Sequence, residues 1–422
     1  MKDMHPVSHT SCRVCGSGTL TKVIDLGEQF LQGSFVKPGK AQPPSSKFPT
    51  VLVRCNPQQD ENACGLLQMQ WTVPAELLYS DYWYRSGTNE TMRTHLRGIA
   101  SEAAALAGKR GARVLDIGCN DGTLLQCYPE DFLRIGVDPS DVARESADAI
   151  MVIQDTFPSA RLGEYLDGKH LDIVTSIAMF YDLDRPVEFA ESIKRILAAE
   201  GVWVFEMSYM PTMLKLNSYD TICHEHLEYY SLSVLEHILE RVGFKVIRVE
   251  LNAINGGSIR CYASHQKSSF TPQPADTQRL NELRRQEIEM QLESDKPYTD
   301  FQRRIEGHRK ELKAMILGLK KEGKRIHIYG ASTKGNTILQ WCGLDGSIIE
   351  AAADRNPDKF GARTLGTNIP IISEEDSRAM RPDYYLVLPW HFRDEFLKRE
   401  RRTLESGVKM IFPLPTLEIV GS

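Results

Sequence analysis

The sequence predicts an α/β protein: two Rossmann-like units preceded by a small metal-binding module. Three observations carry this. From Arg113 onward, apolar strand-like runs alternate with helical stretches, as in a parallel sheet covered by helices on both faces. The alternation pauses over a charged stretch at residues 273–324 and resumes at Arg325. Before it all, the first 75 residues are rich in Gly, Pro, Ser and Cys and have little apolar core of their own.

A chain of 422 residues has room for two or three domains. The shifts in pattern divide it into 1–75, 76–272 and 273–422. Strands are expected at Thr50–Arg54 and Leu66–Gln70, then at Arg113–Ile117, Arg134–Asp138, Asp172–Ile177 and Val202–Met207. Residues 77–110 read as helical, amphipathic over Thr88–Ala107, and 273–324 as one or two long, solvent-facing helices between domains. A last group of strands is expected at Arg325–Tyr329, Ile348–Ala353 and Tyr384–Leu388.

With 41% hydrophobic and 25% charged residues, the chain can fill more than one core. The net charge of −5 gives no general attraction to nucleic acid or anionic membrane. No apolar run approaches the ~20 residues that span a bilayer. The opening MKDMHPVSHTSC lacks a signal-peptide pattern. The expectation is a cytoplasmic protein, monomer or homodimer, in a compartment where disulfides are rare. Cys119, Cys127, Cys223, Cys261 and Cys342 then read as small buried residues.

The other four cysteines have ligand spacing. Cys12-Arg-Val-Cys15-Gly puts two thiolates on one tight turn. Cys55 and Cys64 are separated by NPQQDENA, a polar insert that can loop out and leave both sulfurs on the same side. Four thiolates suit a closed, structural zinc site. The alternative is one redox-active or chance CxxC beside unpaired thiols.

The most specific stretch is VLDIGCNDGTLL, where an apolar strand runs into Asp116, Gly118, Asn120, Asp121 and Gly122 and then a helix. Glycines admit a close ligand, and a helix N-terminus faces it. Asp138 ends the next strand and is placed to accept from ribose hydroxyls. Asn120 breaks the GxGxxG dinucleotide fingerprint, and no GK[ST] of a P-loop is present. The loop resembles the first motif of class I methyltransferases. That implies S-adenosylmethionine as cofactor, with Asp155 near the adenine.

After the fourth strand comes TICHEHLEYYS, which packs His224, Glu225, His226, Glu228, Tyr229 and Tyr230 together. Imidazole moves protons near neutral pH, and a neighbouring carboxylate orients it or raises its basicity. A polar helix start or a metal site are the other readings. DYWYRSG (residues 81–87) is expected to cover the site, and Asn255-Gly-Gly-Ser-Ile-Arg260 suits a loop against a hydroxyl-rich ligand.

These motifs, in this order and with the C-terminal YGASTKGNT, resemble the sugar C-methyltransferases across nearly the whole chain. The resemblance implies methylation at carbon 3 of a nucleotide-linked 4-keto-deoxysugar through a base-generated enolate. It implies a C-terminal domain that helps bind the sugar nucleotide. Glu225 and His226 match the family's Glu-His pair, with His226 the base; Tyr84 matches its active-site tyrosine; Gly257, Ser258 and Arg260 match its GGSxR loop. His224 or Tyr84 is a candidate donor to the enolate. Two positions depart from the pattern: Cys223 stands where the family has Tyr, and Tyr181 where it has a second His.

In the C-terminal unit, Ser332, Lys334 and Asn336 follow a strand and are expected to bind substrate; Lys334 and the turn amides suit a diphosphate, with Asp354 near the nucleoside. The alternative is a scaffold that only shapes the cleft. Rival functions are an O- or N-methyltransferase acting on a sugar or small metabolite, and a zinc-module protein that binds nucleic acid. The acidic net charge and the lack of a Lys/Arg stripe near the cysteines speak against the second.

Overall fold

The computed structural model describes residues 5–79, 83–146, 148 and 150–421. At the N-terminal end, β1 (Leu20–Gln29), β2 (Phe48–Cys55) and β3 (Leu67–Met69) form an antiparallel sheet. Its next strand comes from far along the chain: Glu228–Tyr229 pairs with Gln68 and Leu67. The β2 sequence, FPTVLVRC, is buried along nearly all its length, Thr50 and Arg54 included, because both faces are covered.

The central sheet is built from β4 (Arg113–Ile117), β5 (Leu133–Val137), β6 (Met151–Ile153), β7 (Leu171–Ile177), β8 (Leu197–Ser208), β9 (Phe244–Asn252) and β10 (Ser258–His265). Among the described residues its order is β9-β10-β8-β7-β4-β5-β6. β4 to β8 run parallel, and β10 lies antiparallel between β8 and β9. This is the class I methyltransferase, Rossmann-like sheet that the sequence predicts. The strand order reverses between β4 and β7, so the loops after β4, β5 and β7 open on one crevice.

A second parallel sheet holds β11 (Ile326–Tyr329), β12 (Ala351–Asp354), β13 (Ile371–Ser373), β14 (Tyr384–Val387) and β15 (Lys409–Phe412). β16 (Glu418–Val420) closes its edge antiparallel, and the order is β13-β12-β11-β14-β15-β16.

Two sequence expectations change. Residues 77–110 are not one helix: a short helix ends at Tyr79, and the main helix, Glu90–Ala107, starts after the Asn89 cap. The charged stretch forms helices Pro274–Glu289 and Lys296–Lys321, each with Pro in its first turn. The second is not simply solvent-facing. Tyr298, Phe301, Ile305, His308, Leu312 and Ile316 recur every three or four residues and bury one stripe. That stripe joins the N-terminal sheet to the C-terminal sheet in one continuous core. Among the described residues, no helix is long and apolar enough to cross a membrane.

The first linking helix is also tied down. Glu287 is buried, and its carboxylate accepts from Tyr209 Oη (2.6 Å), Leu232 N (2.5 Å) and Ser233 N (3.0 Å). It thus caps the positive end of the helix Leu232–Val242. Glu287→Ala is expected to lose about 1.5–3 kcal/mol, the usual worth of hydrogen bonds to a charged group. Urea unfolding checks this; an unchanged midpoint would refute it.

Candidate active site

The first cysteine pair sits on a tight turn in which Val14 N points at Cys12 Sγ (3.4 Å) and Gly16 takes a positive φ of 80°. The insert between Cys55 and Cys64 loops out and is pinned to this turn by Ser17 Oγ donating to Asp60 (2.6 Å). The sulfurs converge: Cys12 and Cys64 are 3.5 Å apart, Cys15 and Cys55 3.4 Å, and all four lie within 4.8 Å of one another. Thiolates about 2.3 Å from a tetrahedral zinc lie about 3.8 Å from each other, so the donor set fits that ion. A disulfide needs about 2.05 Å. Between the two cysteines of the turn, the Arg13 side chain is buried. It donates to Met69 O (2.6 Å) and Asp184 (3.2 Å) and lies 3.6 Å from Glu228.

The glycine loop after β4 is held open by backbone shape. Gly118 and Gly122 have φ of 75° and 74°, and Asn120 shares that region at 50°. A Cβ on Gly122 would meet Ser146 at 2.7 Å. Asp138, at the end of β5, accepts from Asn120 N (2.9 Å) and from Ser140 N and Oγ (2.8 and 2.6 Å). Asp116 is buried and accepts from Thr175 Oγ1 (2.6 Å); burial raises its carboxyl to about 7. Asp155 follows β6 and accepts from Thr156 N and Ser159 Oγ.

The chain before the central sheet folds over this loop. Ser86 N donates to Asn120 (3.0 Å), Gly87 N to Asp121 (2.8 Å), and Asn120 Nδ2 to the Tyr84 carbonyl (3.1 Å). The Tyr84 side chain stays 49% exposed. Of the motif read as a cover, Asp81 and Tyr82 lie outside the described residues.

The histidine segment does not place its two imidazoles together. The chain turns at Cys223–His226, where His226 N bonds Cys223 O (3.2 Å). His224 is thereby buried against β2, with Nε2 3.2 Å from both Thr50 Oγ1 and Phe48 O. His226 goes the other way. Its Nδ1 donates to the Thr221 carbonyl at 2.8 Å, which fixes the neutral tautomer and leaves Nε2 with its lone pair. Its ring lies 4.3 Å from that of Tyr181. Burial, with help from the Lys334 charge, lowers His226 to about 3, so the imidazole is unprotonated near neutral pH.

Glu225 is next to His226 in sequence, but its carboxylate makes no hydrogen bond or ion pair among the described residues. Burial raises its carboxyl to about 7. In this position it occupies space left by Gly33: a Cβ there would lie 1.8 Å from Glu225 Oε1, so the carboxylate would have to move. The group that orients His226 is therefore the Thr221 carbonyl rather than Glu225.

The C-terminal unit faces the same segment. Thr337 Oγ1 donates to Ile222 O (3.2 Å), and Trp390 Nε1 donates to the buried Asp220 (2.9 Å). Lys334 reaches Asn255 O (2.6 Å), and Asn336 Nδ2 reaches Gln32 O (2.6 Å). Ser332 caps its own helix by accepting from Gly335 N (3.1 Å). Asp354 accepts from Ala331 N (3.0 Å) and Asn356 N (2.8 Å). Lys334 and Asn336 thus point toward the histidine segment and the N-terminal module.

Two expected binding residues are elsewhere. Ser258 and Arg260 belong to β10, not to a loop. Arg260 is buried in a charge network with Glu206 (2.8 Å), Glu102 (3.3 Å) and Glu250 (3.5 Å). A strand side chain alternates faces and here turns under the helix Glu90–Ala107. Asn255 and Gly257, at φ 55° and 116°, do form the loop. Sequence reasoning missed Thr221 and Gly33, which act through a carbonyl and through a missing side chain.

Comparison with known proteins agrees with this layout. Three domain families match in order: a zinc binding domain over residues 12–79, a methyltransferase domain over 89–249, and the C-methyltransferase C-terminal domain over 253–415. C-methyltransferase NovU of Streptomyces niveus is 29% identical over 418 residues, 97% of either chain. Among solved structures, magnesium protoporphyrin IX methyltransferase from Synechocystis PCC 6803 is 14% identical, with TM-score 0.33 over 43% of this chain and 90% of that one. An S-adenosylmethionine-dependent methyltransferase from Clostridium acetobutylicum is 11% identical, with TM-score 0.34 over 41% and 92%.

The four-cysteine site predicts one tightly held zinc per chain. Metal analysis of protein purified without chelator checks this. Cys55→Ser is expected to lower zinc content, and wild-type protein without zinc would refute the assignment.

Proposed function

Because this chain belongs to the S-adenosylmethionine-dependent C-methyltransferases, we propose that its acceptor is carbon 3 of a nucleotide-linked 4-keto-deoxysugar. The observation that carries this reading is His226: a neutral imidazole with Nε2 unprotonated, its ring 4.3 Å from that of Tyr181. C-methylation needs a carbon acid, and a ketone makes one of its neighbour. His226 Nε2 takes the proton, and the Thr221 carbonyl holds the resulting imidazolium through Nδ1–H. Glu225, close to half-protonated near neutrality, offers a hydrogen bond to a sugar hydroxyl. Tyr84 and Tyr181 border the ketone.

S-adenosylmethionine, when bound, supplies an electrophilic methyl group on a sulfonium. Gly118, Asn120, Asp121 and Gly122 cradle its methionine portion, Asp138 takes the ribose, and Asp155 stands near the adenine. Asn255 and Gly257 shape the sugar pocket, with Ser258 and Arg260 supporting it from β10. Ser332 and Asp354, beside strand ends of the C-terminal sheet, border the nucleotide. We take the working domains to be 1–75, 76–272 and 273–422, and the enzyme to be cytoplasmic.

Two variants test the assignment. Asp138→Ala is expected to weaken S-adenosylmethionine binding by about 0.5–3 kcal/mol, the range for a lost hydrogen bond; unchanged affinity by calorimetry would remove Asp138 from the site. His226→Ala is expected to bind both ligands but to lose about 10²–10⁴-fold in turnover. Product NMR with a panel of 4-keto sugar nucleotides reads the methylated carbon. A methyl on carbon 5, the ketone's other neighbour, would overturn the carbon 3 assignment but not the base.

A further inference from the structure

The helix Thr333–Cys342 is docked on the segment that carries His226. Thr337 bonds Ile222 O, and Asn336 bonds Gln32 O, while Gln32 Oε1 accepts from His224 N (3.2 Å). Lys334 precedes Thr337 by three residues and so lies on the same side of the helix. Its Nζ donates to Asn255 O at 2.6 Å, and two further N–H donors remain.

The surroundings close around that ammonium. Asn255 leads into Gly256, whose Cα lies against the Trp390 ring, with a Cβ there only 3.2 Å from it. Trp390 donates to Asp220 Oδ2, and Asp220 precedes Thr221, whose carbonyl holds His226. The other oxygen of Asp220 and Nδ1 of His391 are buried with no partner among the described residues. The helix face that carries Lys334 meets Ile222, the residue after Thr221, and the Lys334 charge adds to burial in depressing both His226 and His391. The buried Asp220 carboxylate is its counter-charge.

We propose that Lys334 is the cation that faces the ketone oxygen and takes up the negative charge developing there as His226 removes the neighbouring proton. The carbon–hydrogen bond breaks, the proton goes to Nε2, and the electron pair becomes the enolate with its charge on oxygen 4. The ammonium stays protonated throughout, and the enolate carbon then takes the methyl group from S-adenosylmethionine. The Asn255 carbonyl holds Lys334 in place, and the buried Asp220 carboxylate attracts it without a direct bond. This rests on the enolate chemistry proposed above, and it assigns Lys334 to the reacting end of the substrate rather than to its diphosphate.

The test separates proton removal from methyl transfer. The full-length zinc-loaded protein is incubated with dTDP-4-keto-6-deoxyglucose and S-adenosylhomocysteine in heavy water, and deuterium entry beside the ketone is followed by NMR. Lys334→Met is expected to slow exchange at saturation by ~10²–10³-fold, as for loss of one oxyanion donor. Binding of dTDP, which has no ketone, is expected to stay unchanged. Lys334→Arg is expected to restore part of the rate. Should Lys334→Met fold poorly, judged by S-adenosylhomocysteine binding, Lys334→Gln is read in the same way. Wild-type exchange in the neutral variants overturns the proposal and leaves the role of His226 standing. Loss of dTDP affinity with normal exchange also overturns it, in favour of a diphosphate contact. No exchange in wild type with bound probe overturns both readings.

Discussion

The bond between His226 Nδ1 and the Thr221 carbonyl is the constraint on which the site depends. A carbonyl can only accept, so the ring must carry its proton on Nδ1 and present a lone pair at Nε2. Thr221 ends a 3-10 turn, and its neighbours are fixed from both sides. Asp220 is tied to Trp390 of the C-terminal unit, and Ile222 to Thr337 of the same unit. Moving that unit would move the acceptor that sets the tautomer.

The zinc module holds the other end of the segment. Glu228–Tyr229 is a strand of its sheet, and Arg13, from within the first cysteine pair, reaches Glu228, Met69 and Asp184. Gln68 accepts from Arg13 N (2.9 Å) and pairs with Glu228 in the ladder. Metal, turn, ladder and histidine are thus joined by short bonds. Gly33 completes the contact, since a larger residue would displace the Glu225 carboxylate.

Much of this was legible in the residues. β4, β5 and β7 fall within one residue of the strands expected, because each is an apolar run flanked by turn or helix signals. The cysteine insert loops out as its polar composition suggests. What stayed hidden acts through geometry that side-chain chemistry does not announce. His224 and His226 are two apart, a spacing that puts both on one face of a strand, but a turn gives them different partners, Thr50 and Phe48 for one and Thr221 for the other. The buried stripe of Lys296–Lys321 was masked by the charges between its apolar positions. β9 and β10 form a hairpin, and the first residues of β10, Ser258 to Arg260, read as the tail of a glycine loop. Thr221 and Gly33 contribute a carbonyl and an empty space, which no pattern of residue types reveals.

The strand borrowed from Glu228–Tyr229 also bears on the order of events as the chain leaves the ribosome. Zinc can close its four-cysteine cage once Cys64 has emerged, but the edge of β3 then has no neighbour until residue 229 follows. A second pairing, of Phe35–Val36 with Arg363–Thr364, waits longer still. At synthesis rates of about 5–20 residues per second, the first wait lasts roughly 8–30 s. For that interval the metal is the main thing that holds the nascent N-terminal segment together, and an unpaired strand edge is exposed to other chains. A ligand that serves the finished enzyme as a fixed structural joint serves the unfinished one as a guard against misassembly.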